Sequence, residues 1–136
     1  MANDLGFEVT LSKPYEQAIE AVTAALKSEG FGVLTRIDVR ATLKEKIGAD
    51  FRPYVILGAC NPHLAHQSLT HAPEIGLLLP CNVTVEALDE GHSLVRLVNP
   101  HAMLAAAGHP GDPQLEAIAS QATDKMQRVK AALQLS

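Results

Sequence analysis

Tryptophan is absent from this chain, and two tyrosines and three phenylalanines bring the aromatic share to only 4%. A core without large rings has to be built from Leu, Val, Ile and Ala. A surface without them lacks the stacking platforms that hold single-stranded nucleic acids. A basic surface is missing as well: eleven Lys and Arg stand against fifteen Asp and Glu, scattered along the chain, for a net charge of −4. Phosphate contacts dominate nucleic-acid affinity and need basic clusters, so nucleic acid is not an expected partner. No apolar run approaches the ~20 residues that span a bilayer, and the opening Met-Ala-Asn-Asp-Leu-Gly is no secretory signal. The expectation is a cytoplasmic protein away from membranes, with its two cysteines reduced. Familiar reactive motifs are also lacking. There is no Gly-rich phosphate loop, no Gly-x-Ser-x-Gly elbow, no Cys-x-x-Cys pair and no His-Glu-x-x-His helix.

What is present is a chain of 136 residues, 47% apolar, without linkers or repeats. That length suits one domain, 1–136, with a core of its own. Alternation of apolar and polar residues over 7–11 reads as a half-buried strand. Ser12 and Pro14 then lead into an apolar stripe at Tyr15, Ala18, Ile19, Val22, Ala25 and Leu26, helical spacing that Gly30 can close in a left-handed conformation. A second strand follows over 31–37. Asp38 can cap a short helix that runs through Ile47 and stops at Gly48, with Arg40, Lys44 and Lys46 on a solvated face.

Residues 54–59 read as a more fully buried third strand. Asn61-Pro62 has the cap and first-turn residues of a helix reaching about His71. Residues 77–79 read as an extended lead-in, with Pro80 arguing against a central strand there. Strands over 83–87 and 93–98 flank the turn Asp89-Glu-Gly-His92 and form a hairpin. Pro100 opens a short helix to about Ala107, and a long terminal helix spans 113–133, with Leu115, Ile118, Ala122, Met126, Val129 and Leu133 on one stripe. Grouped strands between outer helices favour an α+β fold with a largely antiparallel sheet of about five strands.

The two cysteines occur as Cys60-Asn61 and Cys81-Asn82, each at the boundary of an apolar run. If the strand ending near Ala59 runs antiparallel to the one beginning near Asn82, both thiols reach the same edge of the sheet. A right-handed parallel crossover would put them at opposite ends. Cys60 also precedes a helix N-terminus, whose partial positive charge favours a thiolate. His63 and His66, three residues apart, complete a Cys-x-x-His-x-x-His pattern of soft and borderline donors suited to a metal such as zinc, with Cys81 as a fourth. The plainer reading is that free cysteines beside Leu, Ala and Pro are core residues and that Asn61 is only a cap. On the same reading His63, His71, His92, His101 and His109 are solvent-facing, and Met126 fills the core.

The ordered segments Gly30-Phe-Gly-Val-Leu-Thr-Arg-Ile-Asp38, Leu57-Gly-Ala-Cys-Asn-Pro62 and Glu74-Ile-Gly-Leu-Leu-Leu-Pro-Cys-Asn-Val83 resemble domain-of-unknown-function family 302 over nearly the whole chain. The resemblance implies a curved antiparallel sheet with helices covering one face, the architecture shared with the TATA-binding protein, and it implies homodimers. That architecture serves unrelated functions. The family pattern matches at Cys60, Asn61, Pro62, His66, Cys81 and Asn82 but omits His63, which favours a Cys60/His66/Cys81 grouping. Three functions follow as expectations. The first is a small-molecule, metal or redox binding module that uses this grouping, with the Asn61 and Asn82 amides orienting the ligand. The second is an enzyme with Cys60 as nucleophile, His66 as base and the helix N-terminus as oxyanion site. The third is a dimerising structural or adaptor domain with no site.

Overall fold

Alternating sequence becomes a five-stranded sheet in the computed structural model, which describes residues 5–108 and 111–136. His109 and part of the turn around it lie outside the described residues. The order along the chain is β1 (Gly6–Leu11), α1 (Tyr15–Ser28), β2 (Gly32–Asp38), α2 (Val39–Ile47), β3 (Tyr54–Cys60) and α3 (Pro62–His71), followed by a 3-10 helix (Pro73–Leu78). Then come β4 (Cys81–Ala87), β5 (Ser93–Val98), α4 (Pro100–Ala106) and α5 (Pro113–Gln134). The strands lie in the order β1-β5-β4-β3-β2, and every neighbouring pair is antiparallel. The α+β reading and its antiparallel sheet are therefore what the chain adopts.

Strand register decides what is buried. Val9, Val95, Val85 and Val55 stand opposite one another across four strands, with Leu97, Val83 and Leu57 in the adjacent row. All seven are buried, because successive residues of a strand point to opposite faces and these share one. Against that face pack the α1 stripe of Ala18, Ile19, Val22, Ala25 and Leu26 and the second half of α5, through Met126, Val129 and Leu133. Burying each Leu or Val contributes about 1.5–3 kcal/mol. By contrast α2 buries none of its residues.

The helix ends follow their local chemistry. Asp38 accepts a hydrogen bond from the Ala41 amide at 2.9 Å and Gly48 ends α2 at φ 67°. Asp112 accepts from the Gln114 and Leu115 amides at the head of α5. Ser12 plays no capping part, since Pro14 holds the position before α1 and no side chain caps it. One expectation is corrected here. Residues 77–78 belong to the 3-10 helix, and only Leu79 is extended. Pro73 opens that turn and the Leu79 amide closes it on the Gly76 carbonyl at 3.3 Å, so the run of leucines coils before it enters β4.

The other face of the sheet carries a charged row. Glu8, Arg96 and Thr84 stand in register across β1, β5 and β4. Arg96 donates to Glu8 at 2.8 Å and to Glu86, while Arg52 donates to Glu86 from its other side at 2.6 Å. Burial works to raise the Glu86 pKa, but the hydrogen bonds and charges of Arg96 and Arg52 outweigh it and hold the carboxyl below its ordinary value.

Candidate functional site

The antiparallel pairing of β3 with β4 sets Ala59 directly opposite Cys81. Cys60, the next residue, pairs with Gly32 on the other side. The two Cys-Asn pairs therefore meet at one edge of the sheet. Just beyond that edge α3, the 3-10 helix, α4 and the first half of α5 close around a cavity of about 380 Å³. Cys60 and Cys81 both line it, each half-buried.

Short elements build the walls. Asn61 starts α3: its Oδ1 accepts from the Leu64 amide at 3.2 Å, and its Nδ2 donates to the Glu29 carbonyl at the end of α1. Gly30 makes this approach possible. Its φ is 82°, and a Cβ there would stand 3.0 Å from Asn61 Nδ2. From Asn61 the helix turns Leu64, Ala65, Ser68 and Leu69 towards the cavity. Helix α5 adds Leu115, Ile118, Ala119 and Ala122.

No charged side chain lines the cavity among the described residues. Its two polar residues outside the cysteines already have bonding roles. Asn61 caps α3, and the Ser68 hydroxyl donates to the Leu64 carbonyl at 2.9 Å. At the rim Leu34 is 68% exposed and Leu69 38% exposed, although both line the cavity.

The sulfur chemistry follows from burial. The Cys81 thiol is pushed up to about 11, first by burial and then by the proximity of Cys60. It is a neutral S–H at physiological pH, donating weakly to the Sδ of Met103 on α4 at 4.0 Å. Such a thiol is a poor nucleophile until something takes its proton.

The remaining residues expected at the site are placed elsewhere. His66 is exposed and does not line the cavity. A helix turns about 100° per residue, so the face that presents Leu64, Ala65, Ser68 and Leu69 inward carries His66 outward. Asn82 is exposed on β4, opposite Gly58. Among the described residues no three or more His, Cys, Asp or Glu side chains gather closely enough to hold a metal ion. Cys60, His66 and Cys81 thus do not assemble as a ligand set here, nor does His66 stand in the cavity as a base for Cys60. His63 is likewise exposed. His71 pairs with Asp112 at 2.8 Å and His92 with Asp89 at 2.8 Å, so each has a local structural partner. These bonds hold both carboxyls below their ordinary pKa.

Sequence reasoning did not include Met103 or the cavity itself. The one signal for Met103 was a methionine in a short helix opened by Pro100, close in space to the cysteines only once the sheet is ordered.

The family model for the domain of unknown function DUF302 matches residues 7–133. The crystal structure of the uncharacterized conserved protein DUF302 from Bacillus stearothermophilus is similar, with a TM-score of 0.81 and 32% sequence identity. The match covers 97% of this chain and 98% of that one. No curated protein matches the chain. Among the described residues no helix is long and apolar enough to cross a membrane.

Proposed function

The chain belongs to the DUF302 family, and from that premise we propose that it is a binding module for an uncharged, apolar small molecule, with Cys60 and Cys81 at the sheet end of the site. The observation that carries this reading is a cavity of about 380 Å³ without a charged lining residue among those described. Ligand pockets typically measure about 300–1,000 Å³ and combine an apolar lining with a few polar groups. Here the Asn61 and Ser68 polar atoms are already engaged, which leaves the thiols as the principal groups able to orient a guest. A charged organic guest would lose its hydration and find no opposite charge among the described lining residues. An apolar guest gains about 0.8 kcal/mol per buried methylene. Eight carbons supply about 6 kcal/mol, equivalent to tens of micromolar before the entropy of association is subtracted.

The test is a fluorescence titration with 1-N-phenylnaphthylamine, an uncharged apolar probe. One saturable site per chain is expected, and Ala65→Phe, which fills the cavity from α3, should weaken binding at least tenfold while leaving the circular dichroism unchanged. Ala24→Phe, at an exposed position of α1 away from the cavity lining, serves as the control and should leave binding as it was. Absence of saturation, or equal binding by Ala65→Phe, would overturn the proposal.

A further inference from the structure

We propose that Cys60, Cys81 and Met103 together form a three-sulfur site for a soft monovalent cation, Cu(I), in the wall of the cavity. The three residues come from three separate elements, the end of β3, the start of β4 and α4, and all three line the same cavity. The Cys81 Sγ and Met103 Sδ are 4.0 Å apart. Two sulfurs bound to one ion at the ~2.3 Å typical of a metal–thiolate bond, 120° apart, stand about 4.0 Å from each other. That pair is therefore already spaced for trigonal coordination, and Cys60, which borders the same cavity, is assigned as the third donor, drawn in when the ion binds.

Donor chemistry selects the ion. Thiolate and thioether are soft ligands that favour Cu(I). Structural zinc takes four ligands, mostly Cys and His, and among the described residues no His, Asp or Glu lines the cavity. Magnesium and calcium need oxygen ligands in numbers this wall does not offer. On binding, Cu(I) displaces the protons of both thiols to solvent, and the loaded site carries one net negative charge. Cys60 directly precedes the N-terminus of α3, whose dipole favours that charge. A disulfide between the two cysteines would make no use of Met103, which separates the two readings experimentally. The inference rests on the placement of the sulfurs and stands apart from the apolar-guest reading.

The experiment is anaerobic titration of the reduced protein with Cu(I), in competition with bicinchoninate, followed by copper K-edge absorption spectroscopy. The expected result is one Cu(I) per chain with three sulfur neighbours. Met103→Leu should lower the affinity about tenfold and leave two sulfur neighbours, and Cys60→Ser with Cys81→Ser should abolish binding. Far-ultraviolet circular dichroism and the urea-unfolding midpoint of each variant report that the chain has folded. Substoichiometric copper, or a Met103→Leu protein with unchanged affinity and sulfur count, would overturn the assignment.

Discussion

Two apolar clusters in this protein use the same residue types and reach opposite results. Over the sheet, Leu26, Leu57, Leu97 and Met126 are each less than 2% exposed, and none of the four borders the cavity. Around the cavity, Leu64, Ile75, Leu104 and Ile118 are nearly as buried, yet they border about 380 Å³ of empty space. Hydrophobicity does not separate them; the backbone behind them does. Uninterrupted ladders joining β1, β5, β4 and β3 hold the core-facing residues in register, and the one shift, at Val33/Thr35, falls in the outer β2–β3 pair, so two helices can interdigitate with the sheet at interior packing density. The second cluster is framed by α3, the 3-10 helix and α4, three short elements that each begin at a proline. Elements so short cannot present continuous ridges to one another, and a gap survives between them.

The sharpest way to break this comparison is by truncation. Leu57→Ala or Leu97→Ala should cost about 3–5 kcal/mol in urea unfolding, because the packed core cannot collapse around the loss. Leu79→Ala, at the already hollow wall, should cost less than about 1 kcal/mol. Equal costs would mean that the two clusters are packed alike.

Cys81 lies on the boundary between the clusters, and its effect is next in size. Its folded pKa is raised to about 11 from an ordinary value of 9.0. The stability it contributes is therefore fully present below pH 9 and is lost as pH rises through 11. The loss amounts to about 2–3 kcal/mol. Chemical denaturation of native protein and Cys81→Ala from pH 8 to 11 should show the extra alkaline loss only in the native chain. Parallel curves would show that the thiol ionises freely.

The smallest effect belongs to the face of the sheet that neither cluster uses. Glu86 has a lowered folded pKa, so its contribution is present above the unfolded value near 4.5 and is lost as pH falls through the folded one. Glu86→Gln should cost about 1–2 kcal/mol at pH 7, moderated because Arg52 and Arg96 are about half-exposed. The difference from native should fade towards pH 3, and one that persisted undiminished would point to packing instead of charge.

Legibility in the sequence followed the range of the interaction. The Asp38 and Asn61 caps, the left-handed Gly30 and Gly48, and the alternation of β5 are local, and each appears where its residue types require it. The run Leu77-Leu78-Leu79 has no period to read. Leu77 is 90% exposed while its two neighbours line the cavity, so three identical residues occupy two environments. At the site, the shared edge of Cys60 and Cys81 depended only on strand direction. The position of His66 depended on the phase of α3, which Asn61 sets and which carries the imidazole outward. Met103 and the cavity were illegible for a different reason. They arise where four elements converge, and no spacing along the chain encodes a void.

Helix α5 runs through both clusters. Its first half supplies Leu115, Ile118 and Ala119 to the cavity wall, and its second half supplies Met126, Val129 and Leu133 to the sheet core. No glycine or proline interrupts it after Pro113. Twenty-two residues at about 1.5 Å each make a rod of about 33 Å, and such a rod has no joint at which its two halves can part. The mechanical consequence is that the hollow and the solid parts of the molecule share one lever: whatever enters the first and shifts the helix pulls on the second.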